Sequence, residues 1–213
     1  MKKLSLMPTV FMLLVGFFVS FTTLNAQSSF LSVEASQQII SFRFTDSNGN
    51  IDQDYAPVYN GAYNLGYLYD FGNGAFARTS VGMRKAGATL VYDASNYQWD
   101  LQYFQFKLGG GYVYDMGRFS PYLAISFYYG YLLKANQRLN NENFDIKKDG
   151  SVTKGDAGMY FSPGVKFELS ESMSAYAEYS YLMGFKNIEA TSDGQKANNK
   201  ASMITVGLSF AIQ

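Results

Sequence analysis

The sequence contains no cysteine and no histidine among its 213 residues. The absence of cysteine excludes disulfides, thiol chemistry, cysteine-based metal sites and the cysteine-linked lipid anchor of lipoproteins. The absence of histidine excludes every Ser-His or Asp-His catalytic arrangement. Charge is also scarce, because Asp, Glu, Lys and Arg make up 16% of the residues, whereas about 25% is usual for soluble domains.

Long apolar runs are absent as well, apart from one near the N-terminus at 10–21 (VFMLLVGFFVSF). This run is too short for a membrane-spanning helix, which needs about 20 residues. Two lysines precede it and the small residue Ala26 follows it, which is the pattern of a secretory signal peptide. We therefore expect a signal peptide over 1–26, cleaved before Gln27, and one domain over 27–213. The alternative for this segment is a retained anchor.

Removal of 1–26 would leave 15 basic and 17 acidic residues, because it removes two lysines from a chain with 17 of each sign. Such a near-neutral balance gives no electrostatic footprint for nucleic acid, and no nucleic-acid partner is expected. Aromatic residues are abundant, with 18 Tyr and 18 Phe. An exported chain that is aromatic, poor in charge and without a spanning helix indicates a membrane β-barrel.

Alternation of large apolar and small or polar residues supports this interpretation. It is clearest at the C-terminus, where one face carries five large apolar residues: Ile204, Val206, Leu208, Phe210 and Ile212. A helix would scatter these residues around its circumference, so the pattern favours a strand. The same template predicts eight strands, at 29–45, 59–71, 75–92, 97–115, 119–137, 154–169, 173–188 and in the C-terminal segment that contains 203–212. The predicted fold class is all-β, an eight-stranded antiparallel transmembrane barrel.

The connectors alternate in length, as they do in outer-membrane barrels with short periplasmic turns and longer outer loops. Short turns are predicted at 72–74, 116–118 and 170–172, and the outward connectors at 46–58, 93–96, 138–153 and 189–199. Of the outward connectors, three are long and the second is brief. The third is expected to contain its own tight hairpin at Asp149-Gly150, a favoured two-residue turn.

The alternation is less regular in two strands, 29–45 and 75–92, and in the second of these Lys85 falls on the apolar face. In the first strand, Leu31 and Ile40 fall on opposite faces if the alternation is followed without a break, so we expect a β-bulge near Gln37–Gln38. In the fifth strand, unbroken alternation places Leu133 on the outward face and Lys134 on the inward face.

The predicted inward face carries charges of both signs. An eight-stranded barrel has a lumen only wide enough for side chains to fill, and buried charges are tolerated when they are paired. We therefore expect a salt-bridged network that closes the lumen; a narrow ion path is the alternative. The predicted lumen residues are Glu34, Arg43, Asp70, Arg78, Arg84, Lys107, Asp156, Lys166, Glu168, Glu178 and Lys186.

Two further motifs partly match known ligand-binding loops. Gly109-Gly110-Gly111 resembles part of a phosphate-binding loop, but Tyr114 stands where the third glycine would be and more strand follows, so we interpret it as barrel packing. The acidic segment 46–54 resembles a calcium loop, but Ile51 and Pro57 occupy the positions that need Gly and Glu. A solvated loop is expected there, with weak cation binding as the alternative. No cofactor and no metal site are expected.

The chain resembles small outer-membrane β-barrels of the OmpA and OmpX type. It is more similar still to the outer membrane protein β-barrel domain group that includes PorT-like proteins. The similar residues are Leu-Asn-Ala-Gln at 24–27, Gly-Tyr-Val-Tyr-Asp at 111–115 and Val-Gly-Leu-Ser-Phe at 206–210. Many such barrels end on an aromatic residue, whereas this chain ends on Gln213.

The resemblance implies a location in the cell outer membrane, with outer-membrane lipids and lipopolysaccharide as contacts and a larger outer-membrane complex as an open alternative. Enzymes with this fold use a histidine, so we expect no enzymatic activity, and interpret the carboxylates Glu168 and Glu178 as part of a polar core. The expected function is a surface, adhesion or accessory-subunit protein that acts through its loops or its lipid-facing surface. The alternatives are a small pore or transporter and a soluble, lipocalin-like periplasmic barrel.

Overall fold

The structure of the protein is a computed structural model that describes residues 28–52, 54–190 and 194–212. The expected signal peptide over 1–26 and its cleavage site between Ala26 and Gln27 lie outside these residues and stay predictions. No helix in the described part of the chain has the length and apolar character needed to cross a membrane.

The described residues form ten strands. They are β1 (Ser28–Thr45), β2 (Ile51–Asp52), β3 (Val58–Asp70), β4 (Ala75–Tyr92), β5 (Ser95–Val113), β6 (Phe119–Leu139), β7 (Glu142–Asp145), β8 (Gly155–Ser170), β9 (Met173–Gly184) and β10 (Lys196–Ile212). Eight of them pair antiparallel in sequence order, and the sheet closes because β1 pairs with both β3 and β10. The predicted eight-stranded antiparallel barrel is confirmed, while β2 and β7 are short additions outside the ring.

The two faces of the barrel wall differ in chemistry. Large apolar side chains such as Leu65, Phe127 and Ile204 point outward and are exposed. Small polar side chains such as Ser126 and Ser162 point inward and are buried. A soluble ligand-binding barrel has the opposite arrangement, with its apolar face inside. An exposed apolar band is what lipid contact requires of a transmembrane barrel.

The two ends of the barrel differ in the length of their connectors. Ser28 and Ile212 lie at the end with the short turns, which we assign to the periplasmic side. At the other end, β6 continues into β7 through a two-residue hairpin at Asn140 and Asn141, whose φ angles of 48° and 91° asparagine tolerates. The hairpin therefore lies nine residues before Asp149-Gly150, where the sequence predicts it.

The β-bulge predicted near Gln37–Gln38 was wrong. β1 pairs with both neighbours in a continuous register along its length, so even-numbered residues point inward throughout. Ile40 and Phe42 accordingly point into the lumen and are buried, and Arg43 points outward and is exposed. The sequence interpretation failed here because it assumed that apolar residues always face lipid.

A bulge does occur, but on β6. The register shifts between Gln102 and Tyr103 of β5, which pair with Lys134 and Leu132 and leave Leu133 as the extra residue. Even-numbered residues of β6 therefore point inward below Leu133 and outward above it. Lys134 is exposed on the outer face, contrary to the expectation that it faces the lumen.

Candidate functional site

Two ion pairs cross the lumen in its periplasmic half. Arg78 Nη1 on β4 lies 2.5 Å from Glu178 Oε2 on β9, and Lys107 Nζ on β5 lies 3.1 Å from Glu34 Oε2 on β1. All four side chains are largely buried. Since each pair joins strands that are not neighbours, the pairs span the interior and connect opposite walls of the barrel.

Neutral side chains complete the hydrogen bonding of the two carboxylates. The Tyr122 hydroxyl donates to Glu178 over 3.1 Å, and the Tyr176 hydroxyl donates to Glu34 over 2.9 Å. Asn64 Nδ2 donates to Glu34 Oε2 over 3.1 Å, and the Ser180 hydroxyl donates to Glu178 Oε1 over 2.7 Å. Buried ion pairs are stable only with such additional partners, so this arrangement is a satisfied polar core.

A second layer lies nearer the extracellular end. Arg84 Nη2 is 2.6 Å from Asp156 Oδ2, and both side chains are 0% exposed. The same carboxylate oxygen accepts hydrogen bonds from Tyr128 Oη at 2.9 Å and Asn199 Nδ2 at 2.8 Å. The guanidinium carbon lies 5.1 Å from the ring centroid of Tyr103 and 5.2 Å from that of Tyr128, within cation–π range. These contacts connect β4 with β6, β8 and β10 across the lumen.

An apolar cluster closes the lumen above this layer. It includes Ile40 and Phe42 of β1, Leu132 of β6, and Ile146 and Ile188 from the outer connectors. The aromatic residues packed against it lie at the extracellular mouth: Phe44, Tyr55 and Trp99. Side chains from both the wall and the connectors therefore cover the outer end of the interior.

Little space is left inside. A cavity of about 60 Å³ in the periplasmic half is lined by residues that include Arg78, Lys107, Tyr122 and Lys166. That volume holds no more than a few water molecules. A sugar, peptide or lipid cannot enter it without displacing the ion-paired side chains.

The structure brings six of the eleven predicted lumen residues together in the three ion pairs and separates the other five. Arg43 points outward, and Lys186 is exposed beyond the end of β9. Asp70 accepts a hydrogen bond from a backbone amide of the adjoining turn. Lys166 and Glu168 pair with each other at 3.1 Å near the periplasmic end, with side chains 29% and 49% exposed. These two end the network at the rim and do not extend it through the lumen.

Sequence reasoning missed the neutral part of the network. Gln105 Nε2 donates to Asn64 Oδ1 over 2.9 Å, and Tyr160 Oη donates to Gln105 Oε1 over 3.0 Å. All three residues are buried, and they lie between the two charged layers. The alternation of β3, β5 and β8 predicts their inward position, but a search for charged residues alone does not find them.

The three glycines of β5 serve packing. A Cβ atom at Gly109 or Gly111 would overlap the carbonyl oxygens of Ile125 and Leu123 on β6, and at Gly111 it would also meet the ring of Phe76. Close backbone approach between β5 and β6 therefore requires glycine at these positions.

The acidic first loop is held by its own hydrogen bonds. Asp46 Oδ1 accepts from the backbone amides of Asn48 and Asn50, and Oδ2 accepts from Asn50 Nδ2. Hydrogen bonds from the side chain and backbone of Asn50 hold the pKa of the Asp46 carboxyl below its ordinary value. In the described residues, no three acidic side chains converge as they would to hold a metal ion.

Outside the lumen, one polar surface stands out on the extracellular extension of β4 to β7. We call it the polar flank, and it comprises the outward-facing residues Lys85, Gln98, Asp100, Gln102, Lys134, Asn136, Arg138, Asn143 and Asp145. Its middle part is a groove of about 370 Å³ lined mainly by these amide, carboxylate and guanidinium groups. Arg138 Nε donates to Asn143 Oδ1 over 3.3 Å within it.

The chain matches the model of one protein family, described as the outer membrane protein beta-barrel domain, over residues 10–210. No curated protein sequence matches it significantly. Among solved structures, Ail of Yersinia pestis in complex with the heparin analogue sucrose octasulfate is 15% identical, with 87% of this chain and 99% of that chain covered and a TM-score of 0.46.

Two further structures are similarly distant. Neisserial surface protein A is 13% identical, with 84% of this chain and 96% of that chain covered and a TM-score of 0.49. The outer-membrane protease OmpT from Escherichia coli is 14% identical, with 90% and 100% covered and a TM-score of 0.37. The match that bears on this chain's identity is the family model, because it extends over nearly the whole sequence.

Proposed function

The chain belongs to the outer membrane protein β-barrel domain family, and from this we propose that it is a non-enzymatic surface protein that acts through its extracellular face. The protein is located in the cell outer membrane. The observation that carries the proposal is the closed lumen: two charged layers and an apolar cluster fill it, while the polar flank is exposed. A ligand or partner protein must therefore bind the outer surface of the barrel.

Two features support a non-enzymatic role. The chain has no histidine to act as a general base. The carboxylates of Glu34 and Glu178 are occupied by cations and hydroxyl groups, next to a cavity of about 60 Å³ that admits no substrate. A carboxylate whose lone pairs are already used by protein donors is not available to activate a substrate.

The pore alternative leads to a direct measurement. We expect the refolded barrel to show no stable conductance in planar bilayers, because the Arg84–Asp156 layer and the apolar cluster block the interior. A shift in gel mobility between boiled and unboiled samples checks that the protein used is a folded barrel. Stable single-channel currents that Lys107→Gln abolishes would contradict the closed lumen and favour the pore.

An accessory-subunit role is the second candidate, and one feature favours it. The outer wall has a groove of about 620 Å³ on its periplasmic half, where small side chains such as Ala35, Ala175 and Ala177 lie between larger apolar ones. Small residues let another transmembrane element approach closely. A larger outer-membrane protein could seat part of its wall there.

This candidate predicts a partner that depends on the groove. In a mild-detergent pull-down from outer membranes, Ala177→Trp should lose any stoichiometric outer-membrane partner, since the new ring fills the groove. The control is Ala77→Trp, which adds the same ring on the outward face of β4. If no partner co-purifies with the wild type, or if both variants keep it equally, the accessory role on this face is rejected.

A further inference from the structure

The lower edge of the polar flank carries two lysines in one row. Lys85 of β4 pairs with Gln102 of β5, and Gln102 pairs with Lys134 of β6, so the three residues lie side by side. Both lysines point outward and are exposed. Neighbouring strands are about 4.8 Å apart, so the two lysine Cα atoms are separated by about 10 Å. One ligand headgroup can reach both ammonium groups.

These lysines have no acidic partner within the described ranges, where the ion pairs join other residues. Unpaired lysines at the edge of an apolar surface are suited to anions of a lipid headgroup. Immediately below the row, the exposed rings of Phe104 and Tyr131 belong to the apolar band. The row therefore lies where the apolar band ends and the polar flank begins.

Above the row, the flank becomes rich in neutral donors and acceptors. Two further rows cross β5, β6 and β7: Asp100, Asn136 and Asp145 in one, and Gln98, Arg138 and Asn143 in the next. They line the groove of about 370 Å³. Planar amide, carboxylate and guanidinium groups offer the mixed donors and acceptors that sugar hydroxyl groups need.

The bulge at Leu133 produces this surface. Without an extra residue, β6 would turn the side chains at 134, 136 and 138 toward the lumen, because side chains alternate along a strand. With it, Lys134, Asn136 and Arg138 point outward beside their β5 neighbours. Bulges commonly re-aim side chains in this way.

We propose that the polar flank binds a phosphorylated glycolipid of the outer leaflet. Its acyl chains lie on the Phe104 and Tyr131 rings, its phosphate lies between Lys85 and Lys134, and its sugars lie in the groove above. The order of chemistry along the flank, from apolar to cationic to amide-rich, matches the order of groups in such a lipid. This inference rests on the proposed surface role, and it names the ligand class and the binding face.

The test is native mass spectrometry of the full barrel, released from nanodiscs that contain one added lipid. The probes are a bis-phosphorylated acylated glucosamine disaccharide, its dephosphorylated form, and phosphatidylglycerol, which is anionic but has no sugar. We expect the phosphorylated glycolipid to be retained best. The double variant Lys85→Gln, Lys134→Gln should lower its retention by about thirtyfold, as expected for two lysines near a headgroup, and should leave the dephosphorylated form unchanged.

The matched control is Arg43→Gln, Lys200→Gln, which removes the same charge from outward positions on β1 and β10. It should keep glycolipid retention within about twofold of the wild type, since it leaves the flank intact. Equal loss in both double variants would overturn the assignment to this flank. If the wild type retains phosphatidylglycerol as well as the phosphorylated glycolipid, the assignment of a glycolipid is overturned, because negative charge alone then explains the binding.

A second readout separates this inference from the proposed function. If the wild type and the variants all show the folded-barrel shift between boiled and unboiled samples, but the phosphorylated glycolipid has no advantage, only the inference fails. If the wild type shows no such shift in lipid, the surface-barrel proposal fails with it. Asn136→Ala adds a test of the groove. A glycolipid with a longer saccharide should be retained better than the disaccharide probe by the wild type, and Asn136→Ala should reduce this difference. An unchanged difference contradicts the placement of the sugars in the groove.

Discussion

Replacement of Asp156 by alanine is expected to lower the free energy of unfolding by about 3–5 kcal/mol, the usual cost of breaking a buried ion pair from one side. The reason is that Arg84 would stay 0% exposed without a carboxylate. The donors on Tyr128 and Asn199 would lose their shared acceptor as well. Urea titration of the lipid-embedded barrel, followed by the fluorescence of the one tryptophan, Trp99, gives this free energy.

Two comparisons make the prediction specific. The double variant Arg84→Met, Asp156→Leu should recover most of the loss, because it removes both charges and fills the space with apolar atoms. Glu168→Ala should cost no more than about 1 kcal/mol, because its pair with Lys166 is half-exposed near the periplasmic end. A loss for Asp156→Ala as small as that for Glu168→Ala would mean that the buried layer does not stabilise the barrel.

Deletion of Gln37 from β1 is the second change with a large expected effect. Since β1 has no bulge, a missing residue reverses the faces of one half of the strand. If the upper half reverses, Arg43 enters the apolar cluster; if the lower half reverses, Glu34 faces lipid and leaves Lys107 unpaired. Either outcome should cost at least about 4 kcal/mol or prevent folding.

Deletion of Leu133 is the matched control for this experiment. Leu133 is the extra residue of the β6 bulge, so its removal brings Leu132 and Lys134 into consecutive pairs and leaves every other side chain on its present face. We expect a folded barrel and a loss of no more than about 2 kcal/mol. The shift between boiled and unboiled samples and a urea titration report both deletions. If Gln37 can be removed as easily as Leu133, the bulge lies in β1 and the inward position of Phe42 is wrong.

The eight strands could be predicted from the sequence because period-two alternation is a local property. The inner and outer faces could not be assigned everywhere by composition. Ile40 and Phe42 are apolar and point inward, because the lumen itself becomes apolar toward its extracellular end. A rule that sends apolar residues to lipid has no means of detecting this change, and it misplaced Arg43 as a result.

The pairs within the lumen were also beyond sequence reasoning. Arg78 and Glu178 are 100 residues apart and meet only because the closed sheet brings β4 opposite β9. Alternation predicts which charged residues face the lumen. Which of them form ion pairs depends on the stagger of the strands around the barrel, and alternation does not give that stagger. Leu133 gives no local signal of a bulge either, since no glycine or proline adjoins it.

The pairing of β1 with β10 sets the order in which the barrel can be completed. Ser29 lies opposite Ile212, so the contacts that close the sheet join segments separated by nearly the whole chain. Contacts at such sequence separation carry a large loop-closure entropy and are slow to form. Until β10 arrives, β1 has an unpaired row of amide and carbonyl groups, which is a template for association with other chains. The step that closes this sheet therefore also ends the period in which the nascent barrel is most prone to aggregate.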